Sequence, residues 1–263
     1  MNATAKSLLD FETVAPVTIS TRPANQGRCA DCGLRRLCQS QACGSNPTAQ
    51  VNEQWESVVQ HTRPLLRRKE ELFRQGDAFD TLYVVRAGAI KTSMVSESGE
   101  EHVTGFYLPG DIVGTDGLST NAHATTAVAL ETTSVCALPF TALEKLATQV
   151  PDVQRYVFQV LAREIQNDQQ MMMILSRKNA EQRLAAMLLR FSQHLQKRKL
   201  LGDNIRLPMS RNDIGNYLGL AVETVCRILT RFQKMALIQV EGRDVTLLDS
   251  ARLRDLAEHL EAA

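Results

Sequence analysis

Between Leu65 and Pro139 the chain consists of short β-rich runs, and at Phe140 the spacing of its apolar residues changes to that of helices. That switch limits the fold more than any other feature. The runs LYVVRAGAIKTSMV, HVTGFYL and AVALETTSVCAL are broken by turn signals at Gly76-Asp77, Ala87-Gly88, Ser98-Gly99 and Pro109-Gly110, roughly ten residues apart. Short strands so spaced predict a small barrel or roll. No helical run lies between them, which argues against βαβ units and a parallel sheet. The chain is therefore expected to be α+β, and 263 residues leave room for two domains with separate cores.

After a short helix and Pro151, a long helix is expected over about 152–177. Its stripe of Phe158, Leu161, Ile165, Asp168, Met172 and Leu175 alternates three- and four-residue steps, the seam of a coiled coil. The repeat is short, so spacing alone leaves open both a helix-pair homodimer and a helix packed on its own roll. In a homodimer the two Asp168 side chains would approach each other. Like charges ~4 Å apart repel by about 4 kcal/mol at an effective dielectric near 20. Such a seam holds only with assistance; the other reading is that Asp168 turns outward and the stripe drifts past it.

Nearer the C-terminus, Ser210-Arg211-Asn212-Asp213 has the Ser-x-x-acid form of a helix start, just after Pro208. The helix RNDIGNYL ends at Gly219, and a second begins at Ala221-Val222-Glu223 and runs to about Met235. Two short helices joined by a tight Gly-containing turn form a helix-turn-helix. Glu223, Cys226 and Arg227 share one face of the second helix. An arginine can bond guanine O6 and N7 together, and a glutamate can accept from cytosine N4. Arg231 and Lys234 suit phosphates, and Ser210 and Arg211 complete the expected DNA-binding set. LIQVEGRDVTLL reads as a β-hairpin wing about Gly242-Arg243. From Ser176 to Lys234 twelve Lys and Arg face four acids, although the whole chain carries only +1. A basic segment on an otherwise acidic protein points to a polyanion such as double-stranded DNA.

Four of the six cysteines, Cys29, Cys32, Cys38 and Cys43, crowd into a polar arm over 1–50, and a short helix is expected at 52–61. The first twenty residues lack the apolar core of a signal peptide, and no run is long and apolar enough to span a membrane. A soluble cytoplasmic protein with no membrane partner is expected. A reducing compartment disfavours a disulfide framework and favours metal or redox work. Cys29, Cys32, Cys38 and Cys43 together would suit zinc, though their spacing fits poorly with paired Cys-x2-Cys knuckles. No nucleophile-and-base set, Gly-rich phosphate loop or His-rich metal set appears, so an enzyme is not expected.

The order of arm, β-roll, long helix and winged helix-turn-helix resembles the cyclic-AMP-receptor/FNR superfamily of bacterial transcription factors. CADCGLRRLC, TGFYLPGDIVG, ALETTSVCALPF, NDQQMMMILSRKNAEQRLA and SRNDIGNYLGLAVETVCRILTRFQ are most similar to its FNR (or ANR) branch of oxygen-responsive regulators. The resemblance implies a Cys-rich arm over 1–50, a cyclic-nucleotide-binding-like jelly roll over 51–150, a dimerisation helix over 151–178 and a DNA-binding domain over 179–263. It implies a 4Fe–4S cluster on Cys29, Cys32, Cys38 and the distant Cys136, with Cys43 left over. It further implies a homodimer when the cluster is intact, TTGAT-like half-sites, and RNA polymerase facing the hairpin at 94–101. Nucleotide-binding members hold the cyclic phosphate with an Arg-Ser pair. Here GTDGLSTNAHATTAVA contains no arginine, and His123-Ala124 stands near that place, so no cyclic nucleotide is expected. Cys226 stands where the branch has serine.

Overall fold

The computed structural model describes residues 65–197 and 203–258; the arm with Cys29, Cys32, Cys38 and Cys43, and the helix expected at 52–61, lie outside the described residues. Seven strands form the roll: β1 (Glu71–Phe73), β2 (Thr81–Ala87), β3 (Ile90–Val95), β4 (Glu101–Tyr107), β5 (Ile112–Val113), β6 (Thr126–Ala129) and β7 (Ser134–Pro139). They pair antiparallel in two sheets, ordered β1-β6-β3-β4 and β5-β2-β7.

The apolar run of β2 is continuous because both of its faces are covered. Successive strand side chains point to opposite faces. Tyr83 and Val85 therefore enter the interior with Ile90, Val113, Val135 and Ala137. Leu82 and Val84 face the other way, into a second cluster with Cys136, Leu138, Leu143, Leu146, Val153 and Tyr156. Leu143 and Leu146 come from α1 (Phe140–Gln149), and Val153 and Tyr156 from α2 (Pro151–Arg177). Proline fits the first turn of α2, whose leading N–H groups have no partner inside the helix.

At 27 residues α2 is about 40 Å long. Val153, Tyr156, Val157 and Val160 pack it against the roll. Phe158, Ile165 and Met172 stay 63%, 58% and 69% exposed, Asp168 is exposed too, and Leu161 and Leu175 are half-buried. The residues that seat α2 on its own roll are thus a different set from the three-and-four stripe.

The C-terminal domain comprises α3 (Ala180–Lys197), β8 (Asn204–Arg206), α4 (Arg211–Leu218), α5 (Val222–Lys234), β9 (Ile238–Glu241), β10 (Asp244–Leu247) and α6 (Ser250–Glu258). The expected wing hairpin is β9–β10, and β8 pairs with β10 as a third strand. Phe232, Leu184, Leu188, Ile214 and Leu218 are fully buried in its core. Each such side chain contributes about 1.5–3 kcal/mol relative to exposure. Among the described residues no helix is long and apolar enough to cross a membrane.

Candidate nucleic-acid interface

The start of α4 is determined locally. Ser210 Oγ accepts from the Asp213 N–H at 3.0 Å, and the Asp213 carboxylate accepts from the Ser210 N–H at 2.9 Å and its hydroxyl at 2.6 Å. This reciprocal capping box satisfies donors that the first helical turn leaves open. Gly219 ends the helix with φ +64°, a left-handed conformation that glycine adopts at no steric cost. Gly215 is needed for a different reason: a Cβ there would lie 2.5 Å from the Leu220 carbonyl, so only glycine lets the turn fold back this closely.

Along α5, Val225, Ile228, Leu229 and Phe232 are buried, whereas Glu223, Cys226, Arg227, Thr230, Arg231 and Lys234 are exposed. Helical periodicity sets the two groups on opposite faces. Glu223, Cys226 and Arg227 therefore lie together on the free face near the start of α5. Arg231 lies further along and donates to Glu181 of α3 at 2.6 Å. Arg211 is half-buried and donates to the Gly242 carbonyl in the wing turn at 3.0 Å; burial holds its pKa below the usual range. Arg243 reaches the Pro208 carbonyl at 3.3 Å, tying the same turn to the chain before α4.

Sequence reasoning missed the contacts that fix this module to the rest of the chain. Arg183 in the first turn of α3 donates to the carbonyls of Leu175, Lys178 and Leu218. Lys91 on β3 donates to Glu101 at 2.8 Å and to Asp213 of α4 at 3.0 Å. Burial opposes the Lys91 charge, but the two carboxylates outweigh it and raise its pKa. Burial likewise opposes the Asp213 charge, yet Ser210 and Lys91 hold its pKa low. The Asn216 amide bonds both Val103 N–H and Glu101 C=O, each at 2.6 Å. Phe106 of β4 packs its ring against Tyr217 and Phe191, with centroids 5.0 and 6.4 Å away. No local pattern announces these partners, since Lys91 and Asp213 are 122 positions apart.

Two sites lie in the roll. Cys136 pairs with Val84 across β2 and is buried, on the strand face that α1 and α2 cover. His123 is buried between aromatic rings, stacked on Phe73 at 3.6 Å and edge-on to Phe79 at 5.5 Å. Its Nδ1 lies 3.3 Å from Asp116, whose other oxygen accepts from the Thr125 N–H and hydroxyl at 2.8 Å.

Residues 65–149 match the family described as cyclic nucleotide-binding domain, and residues 182–256 the Crp-like helix-turn-helix domain. The transcriptional activator protein Anr of Pseudomonas protegens is 47% identical over 91% of this chain and 96% of its own length. The fumarate and nitrate reduction regulatory protein of Vibrio cholerae is 38% identical over 87% of this chain and 90% of its own. Among solved structures, FixK2 from Bradyrhizobium japonicum is 32% identical with a TM-score of 0.69, covering 77% of this chain and 98% of that one. With a roll, a long helix and a winged helix-turn-helix in this order, and relatives similar over nearly its whole length, the chain belongs to the Crp/Fnr family of DNA-binding transcription regulators and is not an enzyme.

Proposed function

We propose that this protein is an oxygen-responsive regulator that binds TTGAT-like inverted repeats as a homodimer. The observation that carries the DNA half is the free face of α5, where Glu223, Cys226 and Arg227 stand clear of the buried Val225, Ile228 and Leu229. A dimer would place two such faces in successive major grooves. Arg227 and Glu223 would read guanine and cytosine. Cys226, a weak donor, would touch its base largely through apolar contact. The exposure of Phe158, Ile165 and Met172 along α2 supports the seam of that dimer.

The sensing half assigns a 4Fe–4S cluster to Cys29, Cys32, Cys38 and Cys136, a set of thiols of the type that holds such clusters. Among the described residues no group of three or more His, Cys, Asp and Glu is placed to hold a metal, so Cys136 would serve together with ligands from the arm. The cluster would supply oxygen-labile redox chemistry. Cys136 would tether the arm to the roll, and it shares its apolar packing with Val153 and Tyr156 of α2. A displacement of Cys136 would thus be felt at the base of the dimer helix.

Cyclic nucleotide is not the ligand in this reading. What supports this is that GTDGLSTNAHATTAVA offers no arginine to a cyclic phosphate, while the buried His123 packs between Phe73 and Phe79 with Asp116 beside it. Met94 and Val95, exposed at the end of β3, support a surface for RNA polymerase. An operator gel shift with and without air, alongside iron, sulfide and zinc analysis, tests the whole. A brown, iron- and sulfide-containing protein that loses its operator in air is expected; a colourless zinc protein indifferent to air would refute the sensing half.

A further inference from the structure

We propose that Lys91 and Asn216 are positioning residues for DNA binding, which dock the first helix of the helix-turn-helix on the open edge of the roll and so set where the recognition helix points. The proposal rests on the DNA-binding reading above.

Strand β4 is the last strand of its sheet, so one row of its backbone groups has no strand neighbour. Glu101 and Val103, two residues apart, turn a carbonyl and an N–H to that edge. The Asn216 side chain meets both, accepting from Val103 and donating to Glu101. A carboxamide carries a donor and an acceptor side by side, as a neighbouring strand would. Neither a carboxylate nor an apolar side chain can do both.

Beside this pair the Lys91 ammonium, with its side chain only 12% exposed, spans Glu101 and Asp213. One oxygen of Asp213 takes Lys91, and the other closes the capping box with Ser210. The carboxylate that starts α4 is thus the one that ties α4 to the roll. Without Lys91, Glu101 and Asp213 would face each other uncompensated. Their repulsion would push α4 off the edge and leave negative charge beside Ser210 and Arg211, two members of the expected DNA-binding set. The docked arrangement therefore favours DNA.

Hydrogen exchange at the Val103 amide reports docking directly, because Asn216 is its acceptor. Full-length protein purified without air would be compared with Lys91→Met, Lys91→Arg and Asn216→Ala. Exchange at Val103 should quicken about tenfold in the Met and Ala variants, and operator affinity should fall about tenfold. Exchange at Val84 and Ile90 inside the roll should stay at the wild-type rate, and Lys91→Arg should keep most of the affinity. Should Lys91→Met loosen Val84 as well, Asn216→Ala, which leaves the roll's own ion pair intact, decides alone. Faster exchange at Val103 with unchanged operator affinity, or no change at Val103, overturns the proposal. A wild-type protein that shows no operator preference removes instead the reading on which the proposal rests.

Discussion

The Arg183 guanidinium donates to the Leu218 carbonyl across 3.0 Å, joining the first turn of α3 to the last turn of α4. It also reaches the carbonyls of Leu175 at 2.8 Å and Lys178 at 2.9 Å, at the end of the long helix. Helix ends leave carbonyls without intrahelical partners, and one planar fork satisfies the ends of two helices here. Arg183→Met is expected to cost about 3 kcal/mol, from hydrogen bonds lost to a charged donor. Arg183→Lys should recover little, because an ammonium cannot spread over three acceptors so placed. Thermal unfolding of the three proteins measures this, and a Met variant that melts with the parent would show the clamp to be idle.

Arg227→Ala should abolish site preference and leave the melting temperature unchanged, since the side chain is exposed on α5. Glu223→Ala should relax the preference at one base pair, each good base contact being worth about 1–3 kcal/mol. Selection from randomised half-sites distinguishes the two; unaltered discrimination in Arg227→Ala would remove α5 from the reading role.

Asp168→Ala tests whether repulsion at the seam makes dimerisation conditional. Under the proposed sensing the parent is expected to be monomeric in air, and the variant should dimerise there. Sedimentation of both proteins with and without oxygen provides the measurement. If the variant depends on anaerobiosis as strictly as the parent, the charge at Asp168 is not what holds the chains apart.

Glu164 on α2 has its pKa pushed up to about 7, by burial first and then by Asp111 and Asp168, with Arg190 pulling the other way. Asp111 also lies 3.7 Å from His194 of α3, so the roll, α2 and α3 all bring charge to this cleft. The folded protein then keeps a proton that the unfolded chain releases near pH 4.5. Stability contributed by that proton is present below about pH 4.5 and is lost as pH rises through about 7. Glu164→Gln should therefore raise the melting temperature at pH 8, by an amount on the order of 3 kcal/mol of stability at most. Near pH 4 the two proteins should melt together. Equal melting temperatures at pH 8 would count against a strained carboxylate in the cleft.

What could be read from the sequence was mainly what is local. The capping box needs only Ser210 and Asp213, three residues apart, and it fixes where α4 begins. The stop at Gly219 and the two-faced pattern of α5 are equally short-ranged. Strands β1, β5 and β8 went unread because two or three residues are too few to show alternation. Lys91 looks like an ordinary strand lysine until Asp213 is brought beside it, and Arg183 like an ordinary helix arginine until Leu218 arrives. Placing Cys136 beneath α2 likewise requires the pairing of β7 with β2, which turns that side chain toward the helices.

A strand edge whose hydrogen bonds are taken up by the protein's own second domain is closed to strands of other molecules. Asn216 thus shields the β4 backbone as well as aligning α4. A fragment ending after α1 would lose this shield and also uncover Val84 and Leu138 on the face that α2 helps to cover. Such a roll, expressed alone, is expected to aggregate by strand addition, which makes the DNA-binding domain a built-in chaperone for the roll it docks on.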